Sequence, residues 1–471
     1  MSCKADVRLI AKIEKGQQMD KNVRIAIIGG GPAGLSAGMY LEQAGYENYT
    51  IYERNGWVGG KCHSPEYKGR RYELGAIMGV PSYYAVHDVE EFCGITHDGP
   101  RLNRNYKDLK GNVVDPFDPK KHPLSAPRLL RMKSQIKKFG ELLQTKYKGY
   151  DINGHRGVAQ GRYDGYAVTP GREKVEGVNE NLKDLALPFK DFCEKNGVEL
   201  VQDVWIGPFT SFGYGYFDEI PAAYVLKYLD FQTTMNFVKV NLWTWKDGTQ
   251  SIWEHLNDAI KHPALLNSDI TKVERKDGKV FITVNGKVEE FDKLIVTAPL
   301  QFFGDYADAR EDEKRYFDKI DYERYDVQGF LTEDDKAPEI SYYIMENMVP
   351  ERLGHLMVYY HRWPDLGADQ MYVTYALRKH RDLKEIDYEE SKKMVLADLE
   401  TMGNPAKEVI EERSWYYFPH VFTEDYAAGW YDDVEAMQDK YDTFYAGEIM
   451  SFGDMDETVE YSRELVERFF K

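Results

Sequence analysis

The chain has 471 residues, 42% of them hydrophobic, with 39 glycines besides. That is material for roughly three packed units, and it excludes a disordered tail or a short peptide scaffold. Its 61 basic residues against 79 acidic give a net charge of −18, the wrong sign for a nucleic-acid footprint. The four cysteines form no CxxC pair, which argues against a disulfide framework or a zinc site and fits a reducing compartment. The 35 tyrosines and 22 phenylalanines suit a large core and an apolar ligand tunnel alike.

Residues 1–21 are charged throughout and lack the apolar run of a secretory leader, so they read as an extension of a cytoplasmic protein. Ile25–Leu41 carries no charge and is almost long enough to span a bilayer. A cluster of glycines near its start fits a strand, a tight turn and a helix better. Val23–Ile28 reads as a buried parallel strand, Leu35–Ala44 as a helix, and Tyr49–Tyr52 as a second strand closed by Glu53. Between them stands Gly29-x-Gly31-x-x-Gly34, the dinucleotide fingerprint in its strand–helix context. Gly29 makes the turn, Gly31 admits a pyrophosphate, and Gly34 lets helix and strand approach. Glu53 is placed to accept bonds from a ribose.

Glu53-Arg54 precedes Gly59-Gly60-Lys61. This spacing resembles the arginine–double-glycine–arginine motif of the flavin amine oxidase and desaturase superfamily, with Lys61 where arginine is usual. The lysine keeps the charge and loses the planar fork. Tyr72-Glu-Leu-Gly-Ala76 resembles the segment beside the flavin ring there. Cys62, next to the motif, reads as a small packing residue.

Arg128–Lys146 spaces Leu129, Met132, Ile136, Phe139 and Leu143 along one helix face, with six basic residues and one acid around it. Three readings of the basic face stay open: a solvated cap, weak contact with an anionic membrane surface, and steering of acidic substrates. Residues 151–181 read as a long polar loop. Gly213-Tyr-Gly215 lacks a third glycine, so no separate NAD(P)H domain is legible. Phe291–Pro299 reads as a returning strand of the nucleotide domain. Leu356–Tyr360, Met371–Tyr375 and Trp415–Phe418 read as strands, and Glu389–Met402 as a helix. His355, His361 and His420 have no metal-ligand spacing, and no metal is expected. Thr443–Glu448 resembles the C-terminal FAD motif, and Asp456–Phe470 reads as a helix returning to the sheet.

The fold expected is α/β within an α+β whole: a Rossmann-type FAD-binding domain, a mixed-sheet substrate domain and a helical cap. The boundaries read as 22–110, 240–300 and 435–471 for the first, 111–239 for the cap and part of the substrate domain, and 301–434 for the rest of the latter.

A narrower likeness runs through Gly59-Gly-Lys-Cys-His-Ser64, Phe209-Thr-Ser-Phe-Gly-Tyr214, Leu242-Trp-Thr-Trp245, Val358-Tyr-Tyr-His-Arg-Trp363 and Trp415-Tyr-Tyr-Phe-Pro-His420. Together these segments resemble the FAD-dependent polyunsaturated fatty acid isomerases that make conjugated linoleate. The resemblance implies hydride abstraction from the carbon between two double bonds to the flavin, and return to a neighbouring carbon. It implies FAD as cofactor, held by Gly29, Gly31, Gly34, Glu53, Arg54, Gly60, Lys61, Ala76, Val273 and Glu448. It also implies a free polyunsaturated fatty acid as substrate, its carboxylate gripped by Arg104, with Phe237 as gate and Phe212 beside the chain. Tyr214, Trp245 and Trp430 are further aromatic candidates for the pocket. The flavin does the chemistry, so no protein side chain is expected as catalyst, and no nucleic acid or obligate protein partner is expected. The alternatives are an oxidase or desaturase of the same superfamily, and a flavin-containing lipid sensor without turnover.

Overall fold

The computed structural model describes residues 19–116, 125–147, 180–334 and 336–471. The expected extension 1–21 and loop 151–181 fall almost wholly outside them.

Ile25–Ile28 is four apolar residues in a row, all buried, and it becomes the centre of a parallel four-stranded sheet. Strands with both faces covered read as unbroken apolar runs rather than alternating ones. Its neighbours are Tyr49–Tyr52 on one side and Lys293–Val296 on the other, with Thr443–Tyr445 beyond the latter. In register, Ile27 lies between Ile51 and Ile295. The helices Pro32–Gln43 and Met455–Phe469 pack on each other against this sheet. The second begins at Asp454, whose carboxylate accepts the Glu457 N–H at 2.8 Å. A three-stranded antiparallel meander, Ile270–Lys276, Lys279–Val284 and Lys287–Phe291, leads into Lys293–Val296.

The second layer is a seven-stranded sheet. Its strand order is Ala406–His420, Asp321–Thr332, Met371–Leu377, Val358–His361, Ile340–Tyr343, Arg104–Lys107 and Val113–Val114. The pairings are antiparallel except that Arg104–Lys107 runs parallel to Ile340–Tyr343. Arg104–Lys107, from the segment read as part of the nucleotide domain, is therefore a strand of this seven-stranded sheet.

The amphipathic segment forms the helix Ser125–Gln144. Met132, Phe139 and Leu143 are buried, and Phe139 meets Trp205 edge-on at 4.5 Å. Its basic face is partly answered from within the chain: Arg128 pairs with Asp203, Arg131 with Glu199, and Lys146, just past the helix, with Asp184. Exposed pairs of this kind add little stability. They do remove much of the local positive excess that the sequence displays. Among the described residues no helix is long and apolar enough to cross a membrane.

Candidate active site

The turn from Ile28 into the helix Pro32–Gln43 sets the first wall. Gly29 takes φ +115, a region that favours glycine, and a Cβ on Gly34 would overlap the Gly29 carbonyl oxygen. The helix starts at Pro32 with no side chain capping it, so its first N–H groups are left for a ligand. An uncapped helix start beside glycines is an anion site.

Glu53 sits at the end of the second strand, buried, and both its oxygens are engaged. One accepts the Gly30 N–H at 2.8 Å; the other accepts the Asn55 backbone and side-chain N–H groups at 2.8 Å each. The carboxylate is thus fixed across the fingerprint loop, with lone pairs left for hydroxyl donors.

One cavity of about 800 Å³ joins these parts. Gly29, Gly31, Glu53, Arg54, Gly60, Lys61, Ala76, Glu448 and Phe212 all line it. Lys61 and Glu448 pair with each other on its wall. Gly34 lies one layer behind, serving helix–strand contact. Val273 is not brought to the cavity. It is buried in the meander, paired with Ile282, and its carbonyl accepts the Asp308 N–H at 3.0 Å. Ser268, Asp269 and Ile270, just upstream, line the cavity in its place.

The far end of the cavity is aromatic. Tyr83, Tyr214, Tyr228, Tyr325 and Tyr417 line it with Phe212. Tyr214 lies 5.0 Å from Tyr228 and 5.7 Å from Tyr417, centroid to centroid, and Tyr325 lies 5.1 Å from Tyr417. Burial pushes the Tyr214, Tyr228 and Tyr325 hydroxyls well above the ordinary phenol range, so they stay neutral. Phe237 sits one ring further out, 6.1 Å from Phe212 and 5.9 Å from Tyr228. Arg104 lies beyond it, half-buried, and donates from Nη2 to the Phe237 carbonyl at 2.8 Å. Arg104, Phe237 and Phe212 thus neighbour one another in turn, and of the three it is Phe212 that stands on the cavity wall. Trp245 and Trp430 stand elsewhere: the Trp245 indole donates to Glu90 and that of Trp430 to the Tyr316 carbonyl.

Reasoning from sequence missed the support behind the Gly75–Met78 wall. Glu73, just before it, is buried and accepts from Arg362 at 2.7 Å, from Ser64, and from Thr249 Oγ1 at 3.1 Å. Tyr375 donates to the Glu73 carbonyl at 2.8 Å. Thr297 was missed too; it lines the cavity beside Gly29 and donates to the Ile28 carbonyl at 2.8 Å. The arginine inside Val358–Trp363 was the available signal for the first, since a charge within an apolar run calls for a buried partner.

Residues 32–457 match the flavin containing amine oxidoreductase family, and the chain belongs to that family. The solved structure of a CLA-producing fatty acid isomerase from P. acnes has a TM-score of 0.87 at 51% identity, covering 96% of this chain and 100% of that one. A polyenoic fatty acid isomerase from Ptilota filicina is 23% identical over 271 residues, 53% of this chain. The chain spans 50% of that curated relative's length. Wild-type putrescine oxidase, at 13% identity and a TM-score of 0.67 over 95% of this chain and 98% of its own, shares the fold. The likeness to fatty acid isomerases legible in the sequence agrees with the first two. The cofactor is FAD, and the residues present fit it: an uncapped helix start for the pyrophosphate, a fixed acid at the second strand, and a cavity that both share with aromatic side chains.

Proposed function

We propose that this protein is an FAD-dependent isomerase of polyunsaturated fatty acids. The observation that carries the reading is one cavity lined both by the dinucleotide fingerprint and by tyrosine and phenylalanine rings, with Phe212 on its wall in ring contact with Phe237, whose carbonyl Arg104 holds. The relative at 51% identity supports the same substrate class.

When bound, FAD supplies a reversible two-electron acceptor for a hydrogen carried with its bonding pair. In this reading, the methylene between two double bonds gives up that hydrogen and leaves a pentadienyl cation. Its return to an outer carbon makes the double bonds conjugated, so atoms and electrons balance without a second substrate. Arg104 binds the carboxylate through its planar fork. Phe237 and Phe212 pack along the chain and exclude water. Tyr214, Tyr228, Tyr325 and Tyr417 line the same cavity, and an aromatic face presented to the transient positive charge stabilises it by about 1–2 kcal/mol when water is excluded.

The test is incubation of the yellow protein with linoleate under strict anaerobiosis, read by conjugated-diene absorbance. Diene formation without peroxide is expected, with deuterium from the central methylene recovered on the adjacent outer carbon of the same molecule. An oxidase would stall without air, and a lipid sensor would change its flavin spectrum without product. Label lost to solvent would replace the proposed transfer with proton chemistry.

A further inference from the structure

The helix Tyr84–Cys93 ends at Gly94, whose φ of +68 turns the chain back on itself. The return brings His97 against the helix face that carries His87 and Glu90, residues at i and i+3. His87 Nδ1 lies 3.0 Å and His97 Nδ1 3.3 Å from the same oxygen, Glu90 Oε2. One donor atom from each of the three falls within 4.8 Å of the others. Ligands about 2.0–2.1 Å from a tetrahedral ion stand about 3.3 Å from one another. The separations from Glu90 Oε2, 3.0 and 3.3 Å, lie at or just under such an edge.

We propose that His87, Glu90 and His97 form a binding site for a divalent transition cation of the zinc type. Two imidazoles and one carboxylate suit zinc, cobalt or nickel; calcium and magnesium take oxygen ligands instead. The site lies outside the cavity described above, and none of its three residues lines that cavity.

The ligands are held before any ion arrives. Trp245 Nε1 donates to Glu90 Oε1 at 2.8 Å, which leaves Oε2 toward the histidines. The Trp243 indole stacks on the His97 ring with centroids 3.6 Å and planes 5° apart. Outer groups that orient the ligands in this way are a regular part of metal sites. Glu90 is buried, while the His87 and His97 side chains are 40% and 25% exposed, so the ion has a path from solvent and a place for a water ligand.

The position has a consequence for the cofactor side. Trp243 exchanges backbone hydrogen bonds with Gly79, at 3.0 and 2.8 Å. The residues just before Gly79 line the flavin cavity. A bound ion would fasten His97, which stacks on Trp243, to the helix Tyr84–Cys93 beside the strip that carries this wall.

The test titrates Zn²⁺ alone into the full-length, FAD-loaded protein after chelator treatment, with a chromophoric chelator in competition. One ion per chain is expected, absent from the His87→Ala/His97→Ala double variant. Retained flavin absorbance reports that this variant is folded. Trp245→Phe is expected to weaken binding about tenfold. Co²⁺ in place of Zn²⁺ is expected to show the absorption of a tetrahedral site to the red of the flavin band. Equal affinity and stoichiometry in the wild type and the double variant would overturn the proposal, as would a wild type that retains no ion against the chelator. Should the double variant lose FAD, His97→Gln is read instead: loss of binding is expected there, and undiminished binding overturns the proposal.

Discussion

Lys61 and Glu448, 387 residues apart along the chain, form an ion pair on the cavity wall. The pair joins the loop after the double glycine to the turn after the last strand of the nucleotide sheet. Both side chains are about four-fifths covered. Lys61→Ala leaves Glu448 as an unanswered negative charge beside the site for the pyrophosphate. A charge-assisted bond of this kind contributes about 1.5–3 kcal/mol. We expect FAD to be held about tenfold more weakly, read from flavin fluorescence released on dilution. Lys61→Arg is expected to keep the flavin.

Gly34→Ala tests close packing at the fingerprint. The added methyl meets the Gly29 carbonyl oxygen, which belongs to backbone and cannot swing aside. The helix Pro32–Gln43 would have to lift off its strand, at a cost of about 3 kcal/mol or more. The expected result is a colourless protein with a lowered melting midpoint. A yellow protein of wild-type stability would show that the contact is dispensable.

Arg104 donates to the Phe237 carbonyl, so its substitution tests carboxylate binding and the helix end together. Arg104→Ala is expected to raise KM for a free polyunsaturated acid at least about tenfold. The methyl ester, which carries no charge, should be nearly unaffected. Equal loss on both would leave Arg104 with a purely structural part.

Glu73 and Arg362 are a buried pair, 2.7 Å apart and almost without solvent contact. Glu73→Ala strands the guanidinium, and breaking such a pair costs about 3–5 kcal/mol. The loss is read from the urea midpoint. The double variant Glu73→Leu/Arg362→Met should recover part of it, because no charge is then left buried.

His361 and His420 set an acid limit on stability. Burial holds the His361 imidazole down at about 4 and pushes that of His420 well below its usual range. An unfolded histidine titrates near 6.5. Between about 4 and 6.5 the unfolded chain therefore binds more protons than the folded one. The stabilisation is complete above that window and is lost as pH falls through it, by about 3 kcal/mol for His361 alone. Urea midpoints at pH 7 and pH 5 should show the drop, and His361→Gln should shrink it, leaving the share of His420.

The nucleotide half was legible because its chemistry is local. A glycine spacing, an apolar run and a terminal acid lie within a few turns of one another, and Gly29, Gly31 and Glu53 meet at the cavity as that spacing implies. The predicted helix over 456–470 falls within a residue of the observed Met455–Phe469. The seven-stranded sheet was harder. Trp415–Phe418 is only the end of a strand running from Ala406 to His420. Its first half is charged and half-exposed, so no apolar run marks it. Arg104–Lys107 is a strand because Ile340–Tyr343 offers it an edge, a partner far away in sequence. Val273 was carried over with the motif, yet a buried side chain and a used carbonyl keep it behind the wall. The His87–Glu90–His97 cluster needed the turn at Gly94, which spacing alone does not disclose.

The place of Thr443–Tyr445 as the outer strand of the nucleotide sheet bears on biosynthesis. During synthesis the fingerprint emerges long before this closing strand. Until then the nascent polypeptide carries an apolar sheet with one margin bare, and it lacks Glu448. The cofactor site is therefore complete only once the chain through Glu448 has been made, and the bare apolar sheet margin is an aggregation hazard until then.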